Sequence, residues 1–195
     1  MPKHYAVTGN IGSGKTTVCQ QFERMDIPVY YADRAAKRLM QENHSLMAAL
    51  KDEFGEETYS VDGRLNRQWL AKQVFSDDEA LTTLNALVHP AVHQDADAWR
   101  ARQTSAYTLY EAAIVLELGR QDYFDGVVVV GAPEKVRMER VMQRDGVDEA
   151  AFAARADNQW SDDKKEAAAD FLIINDGRRL LLPQILRLHR KLMNY

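Results

Sequence analysis

The chain has 195 residues, 46% apolar and 28% charged, which is enough to bury the core of one globular domain with smaller appendages. Its 25 lysines and arginines stand against 29 aspartates and glutamates, and this net charge of -4 lacks the basic excess of a nucleic-acid-binding protein. No stretch approaches the roughly 18 apolar residues of a membrane helix, and we expect the short apolar run after the first four residues not to be a signal peptide. The single cysteine, Cys19, excludes an internal disulfide, and we expect it to be a small buried side chain. We therefore expect a cytoplasmic protein that binds neither nucleic acid nor membrane.

Five short apolar segments predict the strands of a parallel sheet. They are residues 5–8, 27–31, 106–110, 127–130 and 171–174. The second and third lead to the carboxylates of Asp33 and Glu111, while the last two lack alternation, as is typical of strands covered on both faces. A glycine-rich turn follows the first strand and leads into a predicted helix over residues 15–25. The pattern indicates an α/β fold with a five-stranded parallel sheet.

About 70 residues between the second and third strands have helical periodicity, which predicts an inserted helical lobe. Its longest helix is expected over residues 77–102, with a kink near His89 because Pro90 removes a backbone hydrogen bond. The apolar stripe of that helix comprises Leu81, Leu84, Val88, Val92, Ala96 and Trp99. Further helical stretches are expected over residues 133–159 and 178–192, the latter with Leu181, Ile185, Leu188 and Leu192 facing inward. We predict a nucleotide-binding core (residues 1–33, 105–139 and 167–195), an acceptor lobe (34–104) and a lid (140–166).

Residues 9–16 read G-N-I-G-S-G-K-T and fit the phosphate-loop pattern G-x-x-x-x-G-K-S/T between a strand and a helix. The glycines let backbone amides turn toward phosphates, and the helix N-terminus adds partial positive charge there. Lys15, assigned as catalytic as well as ATP-binding, is expected to reach the β and γ phosphates, and Thr16 to offer its hydroxyl to Mg²⁺. The predicted ATP-binding residues of this segment are Asn10, Ile11, Gly12, Ser13, Gly14, Lys15, Thr16 and Thr17.

The class of nucleotide-binding protein can be narrowed further. A GTPase needs a base-reading N-K-x-D segment, which the sequence lacks, and the D-x-x-G string at residues 52–55 lies in the helical lobe. ATPases and small-molecule kinases remain, and a short chain with an inserted lobe favours a kinase that closes over its acceptor.

A series of motifs along the chain resembles the dephospho-CoA kinase family. They are T-G-N-I-G-S-G-K-T-T at residues 8–17, Y-A-D at 31–33 where the family has D-A-D, F-G at 54–55, D-G-R-L-N-R at 62–67, V-F at 74–75, L-N at 84–85, H-P at 89–90, E-A-A-I-V-L-E at 111–117 where the family has D-I-P-L-L-F-E, R-V-M-Q-R-D at 140–145, R-x-x-x-Q at 155–159, A-D at 169–170 and N-D-G at 175–177. The resemblance implies a phosphate-loop NTPase fold with a helical substrate lobe and a helical lid. It also implies Mg²⁺-dependent transfer from ATP to the ribose 3'-hydroxyl of dephospho-CoA, the last step of coenzyme A synthesis.

Asp33 follows the second strand, at the carboxyl edge where such folds bind ligands, and we assign it as the general base for the acceptor hydroxyl. By resemblance it could instead mainly orient that hydroxyl, and it could also cap a helix beginning at Arg34. Tyr31 replaces the first acid of the family motif, and we expect it beside the acceptor ribose without a share in catalysis.

Arg137, Arg140 and Arg144 have the spacing of one helix face and could close over the triphosphate. A solvated face paired with Glu134 and Glu139 would give the same pattern. The family lid motif favours the first reading for Arg140, assigned as catalytic, and for Arg144, assigned to ATP. By resemblance Asn175 would lie near the adenine.

The remaining expectations concern the acceptor and the metal. Arg64 and Arg67 are candidates for the acceptor's pyrophosphate or else surface residues, and His89 is placed in the acceptor pocket, since a metal site with His93 lacks a third ligand. Glu111 is assigned to the substrate-binding residues. It is either a partner of the Mg²⁺-bound water or a buried strand end. The alternatives are a kinase of another small acceptor, such as a nucleoside monophosphate, and a non-catalytic nucleotide switch. A monomer or weak homo-oligomer is expected.

Overall fold

A computed structural model describes residues 1–75 and 77–194 of the chain. Its five strands are β1 (Lys3–Thr8), β2 (Val29–Tyr31), β3 (Tyr107–Glu111), β4 (Gly126–Gly131) and β5 (Phe171–Ile174). All the pairings are parallel and the strand order is β2-β3-β1-β4-β5, so β1 lies in the middle of the sheet. In this register Val7, near the carboxyl end of β1, pairs with Glu111 on one side and Val128 on the other. The predicted five-stranded parallel sheet is confirmed.

Nine helices are described within residues 1–75 and 77–194. They are α1 (Lys15–Glu23), α2 (Ala32–Glu42), α3 (His44–Phe54), α4 (Arg67–Phe75), α5 (Asp78–Ala101), α6 (Glu134–Asp145), α7 (Glu149–Ala156), α8 (Asp162–Ala167) and α9 (Leu181–Met193). Two 3-10 turns cover Glu56–Thr58 and Gln121–Tyr123. None of the helices in the described part of the chain is both long and apolar enough to span a membrane.

The chain divides into two compact units. The first comprises Met1–Tyr31 and the chain from Arg100 onward, and it contains the whole sheet. Its core is formed by apolar side chains of the sheet, α1 and α9, among them Val7, Phe22, Val128 and Ile185. Cys19 belongs to this core and is fully buried, as expected, and burial raises the pKa of its thiol well above the usual value.

The second unit, Ala32–Trp99, is helical. Its buried side chains include Leu39, Leu46, Leu50, Leu70, Val88, Val92 and Ala96. Asn43 caps α3 by accepting a hydrogen bond from the backbone N-H of Leu46, which satisfies one of the free amides of the first turn. The Arg38 guanidinium pairs with Asp95 at 2.6 Å on its surface.

Several predicted boundaries and faces are wrong. The stretch 133–159 is two helices, because Gly146 adopts φ 67° and ends α6, and the side chain of Asp148 then caps α7. The strand β5 lies at the edge of the sheet, so Leu172 is 43% exposed and the strand is not covered on both faces. Leu81 is exposed rather than part of the inward stripe of α5.

The ends of other elements also differ. The helix expected over residues 15–25 ends at Glu23, β2 begins at Val29, and β3 extends to include Glu111. The last helix begins at Leu181, three residues later than expected, and α5 stays helical through Pro90. Of the V-F motif at residues 74–75, the side chain of Phe75 lies outside the described residues.

Candidate active site

The phosphate loop, residues 9–16, connects β1 to α1 at the carboxyl edge of the sheet. Gly12 and Gly14 adopt φ values of 80° and 93°, which side chains disfavour. A Cβ atom on Gly12 would lie 2.5 Å from the carbonyl oxygen of Arg137, and one on Gly14 would overlap the side-chain amide of Asn175. Both glycines are therefore needed for the backbone conformation and for the close approach of neighbouring segments.

A cavity of about 350 Å³ lies over the loop and the start of α1. It is lined by Gly12, Gly14, Lys15, Thr16, Thr17, Arg140 and Arg144. Three of these residues are cationic, and the N-terminal end of α1 adds its partial positive charge at the same place. In a protein with a net charge of -4, this local concentration of positive charge suits the cavity to a polyphosphate.

Lys15, Thr16 and Glu111 lie together at this edge of the sheet. The Lys15 ammonium donates a hydrogen bond to the carbonyl oxygen of Gly9 at 2.8 Å, so it is held against its own loop. The hydroxyl oxygen of Thr16 lies 3.5 Å from a carboxylate oxygen of Glu111, which is buried at the end of β3. A hydroxyl and a carboxylate oxygen are ligands, direct or through water, that Mg²⁺ prefers. The donor atoms present therefore fit this metal.

Arg140 and Asn175 contact the phosphate loop from α6 and from the end of β5. Arg140 donates to the carbonyl of Gly12 at 3.4 Å and to the side-chain oxygen of Asn175 at 3.3 Å. Asn175 in turn donates to the carbonyl of Ser13 at 2.7 Å. Arg140 and Asn175 thus meet at the loop, and both polar atoms of the Asn175 amide are engaged there.

Arg144 lies at the rim of the cavity, with 60% of its side chain exposed. Its guanidinium makes two hydrogen bonds, of 2.7 and 2.9 Å, to the carboxylate of Asp145, which also accepts one from Arg155 at 2.7 Å. These two guanidinium groups hold the pKa of the Asp145 carboxyl well below its usual value. The three residues form an exposed charged cluster next to the cavity.

Arg137 differs from the other two arginines of α6 because only 3% of its side chain is exposed. Its guanidinium donates to the carbonyls of Ala132 and Ile11 and pairs with Asp162 at 2.7 Å. It also lies 3.8 Å from the carboxylate of Glu134, one of the two acidic partners expected from the sequence. This geometry fits neither a solvated face nor a clamp over the triphosphate. The helical spacing correctly places the three arginines along one helix but does not show that one of them is buried.

Four of the residues expected to bind the acceptor belong to the second unit, whereas Glu111 belongs to the first. Asp33 is exposed in the first turn of α2, which begins at Ala32, so Asp33 does not cap a helix beginning at Arg34. The Arg64 side chain is 82% exposed and pairs with Asp62 at 3.2 Å. Arg67 is exposed at the start of α4, and His89 is half-buried on α5. Their assignment to the acceptor stays a prediction.

Tyr31, the last residue of β2, donates its hydroxyl to the carboxylate of Glu23 at 2.9 Å. The aromatic ring is half-buried against the core of the first unit. The side chain that replaces the family acid is thus hydrogen-bonded to the end of α1, and its expected place beside the acceptor ribose stays a prediction.

Two charged residues of α8 have roles that the sequence does not indicate. Asp162 pairs with Arg137, and the buried Lys165 ammonium lies 2.8 Å from both a carboxylate oxygen of Glu117 and the carbonyl of Ala113. Burial lowers the pKa of Lys165, against the opposing effect of Glu117. Their segment, D-D-K-K-E, has the composition of a solvated helix, so the sequence carries no signal for either contact.

The chain resembles known proteins along almost its whole length. The family model of dephospho-CoA kinase matches residues 4–180. A dephospho-CoA kinase from Syntrophotalea carbinolica is 38% identical over 174 residues, covering 88% of this chain and 82% of the relative. One from Salinibacter ruber is 41% identical over 174 residues, covering 88% of this chain and 87% of the relative.

Solved structures agree with the fold described above. A protein from Thermus thermophilus superposes with a TM-score of 0.85 at 32% identity, covering 99% of this chain and 97% of that chain. A shikimate kinase from Bacteroides thetaiotaomicron superposes with a TM-score of 0.50 at 14% identity, covering 97% of this chain and 98% of that one, and it shows the fold alone. These likenesses confirm the predicted phosphate-loop NTPase fold. With the motifs, the sheet and the family match in agreement, the chain belongs to the dephospho-CoA kinase family.

Proposed function

We propose that the protein transfers the γ-phosphoryl group of ATP to the ribose 3'-hydroxyl of dephospho-CoA, giving coenzyme A and ADP. The observation that carries this proposal is the cationic cavity over the phosphate loop in a chain of the dephospho-CoA kinase family. In the reaction a bond forms between the 3'-oxygen and the γ-phosphorus. The bond from that phosphorus to the oxygen bridging the β and γ phosphates breaks, and ADP leaves.

Residues of the first unit would bind and neutralise the phosphates. Lys15, released from the carbonyl of Gly9, would reach the β and γ phosphates, and Arg140 would neutralise charge on the transferred group. Arg144 would supply a further cation from the rim, while the amides of residues 12–17 and the N-terminal end of α1 would hold phosphate oxygens. Asn175 would support the phosphate loop through its hydrogen bond to the carbonyl of Ser13, in addition to its expected place near the adenine.

Thr16 and Glu111 would hold Mg²⁺, with the hydroxyl as a ligand and the buried carboxylate as a ligand or a partner of a bound water. When bound, Mg²⁺ would spread the negative charge that develops on the β and γ phosphates. The pairing of β3 with β1 places the Glu111 carboxylate next to α1, which supports this assignment.

Asp33 would accept the proton of the acceptor hydroxyl and orient it, since it follows the carboxyl end of β2 by two residues. Arg64 and Arg67 would bind the pyrophosphate of the acceptor, and His89 would line its pocket. The exposed side chains of Asp33, Arg64 and Arg67 leave them accessible to such a ligand.

The test is ADP release by the purified protein with ATP and Mg²⁺, comparing dephospho-CoA with AMP, adenosine and no acceptor. We expect release with dephospho-CoA alone, and we expect Lys15→Ala and Asp33→Asn to lower its rate by about 100-fold or more. Arg34→Gln, a charge change next to Asp33, serves as the matched control for a change at this turn. Release with AMP would favour a nucleoside monophosphate kinase, and ATP binding without acceptor-dependent turnover would favour a nucleotide switch.

A further inference from the structure

The first half of the phosphate loop is bonded to two segments outside the nucleotide cavity. Asn10 donates from its side-chain nitrogen to the carbonyl of Trp160 at 3.0 Å and to Asp162 at 2.7 Å. The backbone N-H of Ile11 donates to the side-chain oxygen of Gln159 at 2.8 Å. Side chains or backbone of residues 159–162 therefore hold two consecutive loop residues that do not line the cavity.

The carbonyl of Ile11 is held by α6. It accepts a hydrogen bond from Arg137 at 3.3 Å, and the same guanidinium lies 2.7 Å from Asp162. Asp162 thus uses one carboxylate oxygen for Asn10 and the other for Arg137. Because Asn10 and Arg137 are almost completely buried, water cannot replace these bonds without rearrangement of the loop.

Arg137 and Asp162 flank, in the sequence, the segment that carries the two cavity arginines. Arg137 precedes Arg140 by one turn of α6, and Asp162 begins α8, so they lie on either side of the segment that carries Arg140 and Arg144. The Asp162 carboxylate accepts hydrogen bonds from Arg137 and from Asn10, so it connects both ends of this segment to the phosphate loop. Phosphate binding depends on loop amides and cations that are already in place before the ligand arrives.

We propose that Asp162 is a positioning residue for ATP, which fixes the phosphate loop through Asn10 and fixes the start of α6 through Arg137. This inference rests on the proposed function in taking ATP as the nucleotide. The carboxylate touches no substrate itself. Its loss leaves the cations and amides of the cavity present but no longer held in one arrangement, so nucleotide affinity falls while the acceptor site is unchanged.

The test compares Asp162→Asn with Asp163→Asn, which removes the same charge at the next, exposed position of α8. The affinity of the full-length protein for ATP with Mg²⁺ is measured by calorimetry without acceptor, and the KM for each substrate is measured by ADP release. We expect Asp162→Asn to weaken ATP binding by about 10-fold or more and to leave the KM for dephospho-CoA within about twofold, with Asp163→Asn unchanged. Unchanged ATP affinity in Asp162→Asn, or an equal rise in both KM values, would overturn the proposal.

Two milder variants keep the test decisive if Asp162→Asn does not fold. Asn10→Ala and Gln159→Met each remove contacts between the loop and residues 159–162 while the ion pair between Arg137 and Asp162 remains. We expect each variant to stay folded at the temperature of the measurement and to bind ATP about threefold to 10-fold more weakly, and parental affinity in both would overturn the proposal. Because binding is measured without acceptor, a parent protein that binds ATP but does not phosphorylate dephospho-CoA would refute the proposed function alone.

Discussion

The two ends of α6 carry the same kind of residue in opposite environments. Near its start, Arg137 is 3% exposed and is bonded to two backbone carbonyls and to Asp162. At its end, Arg144 is 60% exposed and is bonded to the neighbouring Asp145. A buried arginine that is bonded to several protein groups stabilises the fold, whereas an exposed one can exchange its partner for a phosphate. The difference separates a residue that holds the site in shape from one that is proposed to bind the ligand.

Replacing the arginine at each end of α6 is expected to have its largest effect on stability. Arg137→Met removes three donors and leaves the Asp162 carboxylate without its cation, so we expect the free energy of unfolding to fall by about 3 kcal/mol. Arg144→Met removes only an exposed pair and is expected to change it by less than about 1 kcal/mol while raising the KM for ATP. Urea denaturation of both variants measures the difference. Equal losses of stability would show that the two ends of the helix are alike.

Substitution of the two glycines beside the ends of α6 tests the same difference, with a smaller expected loss of stability. Gly12→Ala places a Cβ 2.5 Å from the carbonyl of Arg137 at a φ of 80°, so we expect a loss of about 2 kcal/mol together with a large loss of ATP affinity. Gly146→Ala has a similar φ of 67° but open space around the new atom, and we expect a loss of about 1 kcal/mol with ATP affinity unchanged. Thermal unfolding and calorimetry with ATP measure both. A Gly146→Ala variant as defective in binding as Gly12→Ala would contradict this account.

The smallest expected effect is on the pH dependence of stability, through Asp145 at the exposed end of α6. Arg144 and Arg155 lower the pKa of Asp145, so the ionised carboxylate stabilises the folded state. This contribution is fully present above the ordinary carboxyl pKa of about 4 and is lost as the pH falls through the lower folded-state pKa. We therefore expect Asp145→Asn to melt slightly below the parent at pH 7, with the gap closing in acid. A gap that is constant from pH 7 to strongly acidic pH would exclude this electrostatic origin.

The sequence predicts the parts of the molecule that depend on local pattern. The phosphate loop is found because Gly12 and Gly14 are required for its backbone, and the sheet because its strands are short apolar runs. Burial of a charge depends on contacts between distant segments, and no local pattern reports it. Helical spacing therefore aligns Arg137 with Arg144 but cannot show that Asp162, 25 residues from Arg137, neutralises only the first.

Helix ends show the same limit. Gly146 and Asp148 stop one helix and start another inside a stretch whose periodicity suggests a continuous helical region. The role of Lys165 is likewise set by the carbonyl of Ala113 and by Glu117, which come from the segment after β3. Family motifs supply the order of such residues along the chain, whereas their partners follow only from the fold.

The most direct measurement of the central claim is the position of the transferred phosphate. The protein is incubated with ATP, Mg²⁺ and dephospho-CoA, and the products are followed by phosphorus NMR. We expect a new phosphomonoester on the ribose 3'-oxygen that appears in equal amount to ADP and forms at least about 100-fold more slowly with Lys15→Ala. Release of inorganic phosphate with dephospho-CoA unaltered, or a phosphate on any other atom of the acceptor, would contradict the assignment.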